Sequence, residues 1–178
     1  MSAGGDLPGA VLFACAKNAI RSPLAAALLR HLAGRRIYVE SAGVRPGRPD
    51  PFAIAVMDEI GIDISDHVPR AIDDLHDLGF DLIVTLAPEA QHKALELAQG
   101  YAIDVVYWPT PDPTLTTGSR EMILDAYRDV RDRLFDRIKA GFQVQGAAGV
   151  ERALTRISES LPHRGTAWRP SRFSLVPK

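Results

Sequence analysis

Short apolar runs alternate with amphipathic segments over the first two thirds of the chain. Runs typical of buried strands occupy residues 10–14, 37–41, 81–85 and 103–107. Apolar positions at helical spacing follow in 23–32, in 50–60, from Pro88 onward and in 119–140, where Gly141 is predicted to stop the helix. This alternation predicts an α/β fold with an open four-stranded parallel sheet and helices on both faces.

The pattern divides the chain into a domain over residues 10–141 and a C-terminal extension over 142–178. The extension has one helix-like stretch at 147–161, followed by a tail that contains basic residues and no acidic ones. Such a tail is either a solvated terminus or a segment that docks onto an acidic or apolar partner, which includes a second copy in a dimer. The sequence leaves these alternatives open.

Composition narrows the class of protein. Of the 178 residues, 46% are hydrophobic and 24% charged, which excludes a mainly disordered or collagen-like chain. The formal net charge of −1 argues against a nucleic-acid partner. No signal peptide or membrane-length apolar run is visible, so we expect no membrane partner. The five histidines lack ligand spacing, so we expect no metal.

The chain contains one cysteine, Cys15, which excludes an intramolecular disulfide and fits a cytoplasmic protein. It follows the first predicted strand and opens a loop that runs into a predicted helix. Ser22 is predicted as the N-cap and Pro23 as the first helical residue. The helix N-terminus and the guanidinium of Arg21 would bind an anion and favour a cysteine thiolate. The alternative is an inert cysteine packed at a strand end.

These residues also carry a family resemblance. Val11–Cys15, Asn18, Arg21–Pro23 and Ala25 resemble the opening of the low-molecular-weight protein tyrosine phosphatases, whose fold and loop are shared by thioredoxin-coupled arsenate reductases. The resemblance continues at residues 41–43, at 61–65 with His67, and at 80–85. It implies a flavodoxin-like, phosphotyrosine phosphatase I-like fold, in agreement with the alternation.

The resemblance implies a catalytic set of three residues: Cys15 as nucleophile, Arg21 as phosphate clamp and Asp112 as general acid. Asp112 lies between two prolines just after the fourth predicted strand, where a simple turn is the alternative interpretation. The residues implied to bind phosphate or support the loop are Ala16, Lys17, Asn18, Ala19, Ile20, Ser22 and Ser41. Ser22 would bond the sulfur, and Asn18 with Ser41 would hold the loop in shape. No metal or other cofactor is required.

Four positions depart from the family pattern, and one of them is Ala26, which stands where the family commonly has Glu. Lys17 replaces a usual glycine, so it would either strain the loop or add a cation near the substrate. Leu115 lies where eukaryotic members present tyrosines, and Ile20 replaces a second cysteine. No cysteine follows the third strand either, so a thioredoxin-coupled thiol relay cannot run on this chain.

The function favoured is therefore phosphomonoester hydrolysis of the protein-tyrosine-phosphatase type, through a phosphocysteine on Cys15. Its substrate would be a phosphorylated protein or a small phosphomonoester. Two alternatives stay open. One is an arsenate reductase that uses an external thiol such as glutathione or mycothiol. The other is a non-catalytic module that binds phosphate or a phosphoprotein.

Overall fold

Four parallel strands form the sheet that the alternating pattern predicts. In this computed structural model, which describes residues 7–143 and Arg152, the strands lie in the order β2-β1-β3-β4. Their bounds are β1 (Ala10–Cys15), β2 (Tyr38–Gly43), β3 (Leu82–Thr85) and β4 (Asp104–Tyr107). All three pairings are parallel, and Ala14 of β1 is in register with Ala42 and Thr85.

Within residues 7–143, four α-helices connect and follow these strands. They are α1 (Arg21–Ala33), α2 (Pro51–Asp58), α3 (Pro88–Leu97) and α4 (Arg120–Phe142). Three short 3-10 turns lie at Gly34–Arg36, Ile72–Asp74 and Pro113–Leu115. The fold class predicted from the sequence is confirmed.

Helices cover both faces of the sheet, as the side chains of β1 show. Val11, Phe13 and Cys15 pack with α1, α2 and α4 in one buried cluster. Leu12 and Ala14 point to the other face and pack against α3 in a second cluster. Because β1 is buried on both faces, its sequence is continuously apolar rather than alternating.

The strand order also locates a crevice. The connection after β1 leads to β2 on one side, and the connection after β2 crosses back over β1 to β3. Loops that leave the carboxyl ends of β1 and β3 therefore diverge, and ligands of open parallel sheets bind where this happens. Residues 16–20 follow β1 at this edge.

Two predicted helix ends are wrong. α1 begins at Arg21 with Ile20 as its N-cap, so Ser22 is not the cap and Pro23 is the third helical residue. α4 continues through Gly141 and ends at Phe142, before Gln143 with its φ of +49°. Gly141 instead leaves room for Trp108, because a Cβ there would lie 3.1 Å from the indole ring.

The predicted helix at 147–161 and the basic tail lie outside the described residues. The domain boundary at residue 141 and the docking role of the extension therefore stay predictions. Within residues 7–143, no helix combines the length and the apolar character needed to cross a bilayer.

Candidate active site

Cys15 is the last residue of β1, and the loop after it turns around its sulfur. The residue is 2% exposed, and its Sγ lies 3.0 Å from Ser22 Oγ on the first turn of α1. Ser22 is fully buried because its hydroxyl faces the sulfur and the Ala42 carbonyl, 3.3 Å away. This inward direction explains why Ser22 does not cap the helix, and it places the hydroxyl where the resemblance implied.

Asn18 is the central support of the loop. Its buried side-chain amide donates to Ser22 Oγ and to Ser41 Oγ, at 2.9 Å each. Its side-chain oxygen accepts from the backbone N–H of Arg70 at 3.0 Å, and its own carbonyl lies 2.9 Å from His67 Nε2. Through its side chain and its carbonyl, Asn18 therefore ties the loop to α1, to β2 and to residues 67–70.

The left-handed turn of the loop falls on Asn18 and not on Lys17. Asn18 has a φ of +51°, and no other non-glycine residue of the loop has a positive φ. Asparagine tolerates this region better than most residues. The backbone strain considered for Lys17 is therefore absent. The side chain of Lys17 is exposed, which agrees with the other alternative, an added cation beside the loop.

The backbone of the loop is oriented by the segment after β2. The carbonyls of Cys15, Ala16 and Lys17 accept from the N–H groups of Val44, Arg45 and Gly47, at 2.8–3.0 Å. With the carbonyls held on that side, the N–H groups of residues 16–20 donate to no acceptor in the described part of the chain. A ring of free N–H donors at a helix N-terminus is an anion-binding arrangement.

Close approach of the two segments depends on Gly43. A Cβ at this position would lie 2.7 Å from the Asn18 backbone nitrogen, which is closer than packed atoms allow. In the sequence, Gly43 is marked only by the resemblance of residues 41–43 to the family. The structure supplies the physical reason for the glycine, because any side chain would push the loop away from β2.

Arg21 and Asp112 meet at the mouth of this loop. The Arg21 guanidinium donates to the Thr110 carbonyl at 3.1 Å, and its Nη2 lies 3.9 Å from Asp112 Oδ2. Asp112 comes from the segment after β4, so the chain brings the two predicted residues together from 91 positions apart. Asp112 in turn accepts from the N–H and the hydroxyl of Thr114, at 3.0 and 2.6 Å.

The surroundings of Asp112 favour its ionised form. Partial burial raises the pKa of this carboxyl, but the two hydrogen bonds from Thr114 and the charges of Arg21 and Lys17 outweigh it. The net effect holds the pKa of Asp112 below its ordinary value. The carboxyl is therefore ionised at neutral pH in the absence of a bound anion.

Sequence reasoning found Ser41 but missed three other supports that lie outside the loop. His67, Arg70 and Thr110 each contact a predicted site residue, yet none of them belongs to the Cys15–Arg21 segment. His67 is one of the five histidines that lack ligand spacing. The only signal was its place in the resemblance, because spacing along the chain cannot show a contact across 49 residues.

The structure brings together every predicted site residue around one loop. Within residues 7–143, no group of three His, Cys, Asp or Glu side chains is placed to hold a metal ion. The arrangement can bind a tetrahedral oxyanion between Cys15 and Arg21, with a carboxyl group beside it.

Comparisons with known proteins agree with this geometry. An arsenate reductase of Halalkalibacterium halodurans is 32% identical over 139 residues, covering 72% of this chain and 91% of the relative. A solved arsenate reductase in the phosphate-binding state is 27% identical, with a TM-score of 0.64 and coverage of 76% and 98%. A low-molecular-weight protein tyrosine phosphatase from T. tengcongensis is 25% identical, with a TM-score of 0.63 and coverage of 75% and 97%.

The relatives therefore include both cysteine-based phosphatases and arsenate reductases. The model of one family matches residues 10–144, which is most of the chain. This chain belongs to the low molecular weight phosphotyrosine protein phosphatase family.

Proposed function

We propose that this protein hydrolyses phosphomonoesters through a phosphocysteine intermediate on Cys15. The observation that carries the proposal is the position of the Cys15 sulfur at the base of a loop whose N–H groups have no acceptor among residues 7–143. Arg21 and Asp112 lie over the same loop, 3.9 Å apart. Phosphotyrosine in proteins is the substrate that the family name favours.

In the first step the Cys15 thiolate attacks phosphorus in line with the ester oxygen. The S–P bond forms, the P–O ester bond breaks, and Asp112 gives its proton to the leaving oxygen. Arg21 and the loop N–H groups stabilise the charge on the three equatorial oxygens. Arg21 would exchange its bond to the Thr110 carbonyl for these oxygens.

Asp112 must be protonated when the ester bond breaks. Its carboxyl is ionised without an anion, but a bound phosphate places negative charge beside it, which raises the pKa of a neighbouring carboxyl. The substrate therefore assists in protonating its own acid.

In the second step a water molecule attacks phosphorus and the S–P bond breaks. Asp112, now a carboxylate, takes the proton from this water, and inorganic phosphate leaves. Ser22 Oγ, 3.0 Å from Sγ, stabilises the departing thiolate. The step regenerates the starting state without an oxidant or a reductant.

Hydrolysis of p-nitrophenyl phosphate tests the proposal. We expect turnover by the wild type, none by Cys15→Ser, and a reduced rate for Asp112→Ala. Each variant is first compared with the wild type in urea unfolding, so that a loss of activity is not a loss of fold. Turnover that survives Cys15→Ser contradicts the mechanism. A wild type that binds phosphate but never turns over favours the binding-module alternative.

Arsenate reduction by an external thiol is the second candidate, since curated relatives bear that name. The Cys15 thiolate would form an S–As bond as one As–O bond of arsenate breaks and its oxygen leaves as water, and a glutathione or mycothiol thiolate would then attack the sulfur. The S–S bond would form as the electron pair of the S–As bond reduced As(V) to As(III). The external thiol is needed because Cys15 is the single cysteine of the chain. Arsenate-dependent consumption of glutathione or mycothiol distinguishes this candidate from the phosphatase.

A further inference from the structure

Three exposed cations lie on or beside the loop that follows Cys15, on the side of the loop that faces β2. Lys17 belongs to the loop itself, and Arg45 and Arg48 belong to the segment that runs beside it. The backbone fixes this placement, since Arg45 N–H donates to the Ala16 carbonyl and Gly47 N–H donates to the Lys17 carbonyl. We call Lys17, Arg45 and Arg48 the basic rim.

The charges of the basic rim are not neutralised within the described residues. None of the three side chains forms an ion pair there, whereas Arg70 pairs with Glu40 and Arg128 pairs with Glu59. The three unpaired side chains leave a concentration of positive charge beside the loop.

The acidic groups nearest the rim are already engaged. Asp50 caps α2 by accepting from the N–H groups of Phe52 and Ala53, and it accepts from the Tyr127 hydroxyl at 3.0 Å. The other nearby acid, Asp112, accepts from Thr114 and faces Arg21. Both carboxylates have partners of their own but keep their charge, so they offset the three cations of the rim only in part.

From this geometry we propose that the site takes phosphomonoesters that carry further negative charge beside the scissile phosphate. A phosphorylated peptide segment rich in Asp and Glu has this chemistry. The inference rests on the proposed hydrolysis at Cys15, and it names the class of substrate for that reaction. Unpaired cations at the mouth of a site attract such an anion and hold its flanking charges, which lowers KM and raises kcat/KM.

Two phosphotyrosyl peptides of equal length test the inference, one with Glu and one with Gln at the flanking positions. We expect kcat/KM for the Glu peptide to be higher by about three- to tenfold at low salt, as a few solvent-exposed ion pairs would give. The ratio should fall toward one as salt is added, because exposed charges are screened.

Single substitutions test whether the basic rim causes the preference for the Glu peptide. Arg45→Gln and Arg48→Gln should each lower the Glu-to-Gln ratio. Arg35→Gln is the matched control. Arg35 is also exposed, but it precedes β2 and therefore lies at the amino ends of the parallel strands, whereas the loop lies at their carboxyl ends. This control should leave the ratio unchanged. Equal rates on the two peptides, or an equal effect of Arg35→Gln, would overturn the inference.

Hydrolysis of p-nitrophenyl phosphate distinguishes a failure of the proposed hydrolysis from a failure of the proposed substrate class. If p-nitrophenyl phosphate is not hydrolysed, the proposed function itself fails. If it is hydrolysed and the two peptides react equally, only the substrate class fails. A carboxylate-bearing aryl phosphate is compared with p-nitrophenyl phosphate in the same series. A preference in this pair with equal rates on the two peptides would also overturn the peptide substrate class, and would show that the rim acts only on small polyanions.

Discussion

At the scale of single residues, most side chains of the site hold other side chains in place. Asn18 makes no contact with the Cys15 sulfur, yet it bonds Ser22, which lies against that sulfur. Thr114 likewise bonds Asp112. Such positioning residues set the ionisation and direction of the reacting groups, and their removal should change pH profiles and stability in distinguishable ways.

The Thr114 hydroxyl should tune the acid. Its bond favours the ionised carboxyl, so Thr114→Val should raise the pKa of Asp112. A raised pKa keeps more of the acid protonated, and the basic limb of the kcat profile should move to higher pH. Thr116→Val is the control, because the Thr116 hydroxyl bonds no protein group in the described region. A profile unchanged by Thr114→Val would contradict the assignment of Asp112.

Two substitutions of Asn18 separate the effect of its backbone strain on stability from the effect of its hydrogen bonds on activity. Both Asn18→Gly and Asn18→Ala lose the bonds to Ser22 and Ser41, and both should lose most activity. Only alanine must also be forced to a φ of +51°, so Asn18→Ala should be the less stable by about 1 kcal/mol. Urea unfolding measures the difference. Equal stabilities would show that the loop relaxes out of the left-handed turn.

At the scale of elements, α2 and α4 are joined through a buried arginine. Arg131 is fully buried on α4, and its Nη1 donates to the Val56 carbonyl at 2.6 Å and to Glu59 Oε2 at 2.9 Å. Arg128 also donates to Glu59. Since Asp50 starts α2 beside the basic rim, this joint helps to hold the entrance to the site.

Glu59→Gln should weaken this joint and make stability less dependent on pH. Burial raises the pKa of Glu59, but the bonds and charges of Arg128 and Arg131 outweigh it, so the pKa is lowered. The stabilisation is therefore complete above the pKa of the unfolded chain and is lost as pH falls through the folded value.

Urea unfolding at pH 7 should show a loss of about 1–2 kcal/mol for Glu59→Gln, since the carboxylate is only partly buried. The difference from the wild type should shrink below about pH 4. Asp58→Asn removes a neighbouring carboxylate that makes no ion pair in the described region, and it should cost little. A pH-independent loss would assign the effect to packing instead of charge.

At the scale of the whole molecule, the sequence pattern was sufficient to predict a four-stranded parallel sheet and the succession of strands and helices along the chain. Strands and helices were found because β1 is continuously apolar and the helices repeat their apolar positions. The pattern failed at helix ends, where tertiary contacts decide. Ser22 turns inward to the sulfur instead of capping α1, and Gly141 accommodates Trp108 instead of ending α4.

The candidate site was predictable where its residues are close in sequence. Cys15 through Ser22 lie in one segment. Asp112 lies far from that segment in the sequence and was identified through the family resemblance. His67, Arg70 and Thr110 were not found, because their contacts depend on how separate loops meet at one edge of the sheet. The fold supplies this juxtaposition, and no local pattern encodes it.

The single cysteine gives the whole molecule a defined response to oxidation. Peroxide should convert the Cys15 thiolate to a sulfenic acid and stop turnover, and no intrachain disulfide can form. Added glutathione should capture the sulfenic acid as a mixed disulfide, and a reductant should then restore activity. Intact-mass measurement follows these species. Inactivation with an unmodified Cys15 would contradict the assignment of the reactive thiol.

The central claim is that catalysis passes through a covalent bond between Cys15 and phosphorus. The direct measurement is rapid quenching of the working enzyme into alkaline denaturant, followed by mass spectrometry of its peptides. The account predicts one phosphoryl group on the peptide that contains Cys15 in the wild type, and none in Cys15→Ala. Steady turnover with no phosphorylated Cys15, or a phosphoryl group on another residue, would contradict it.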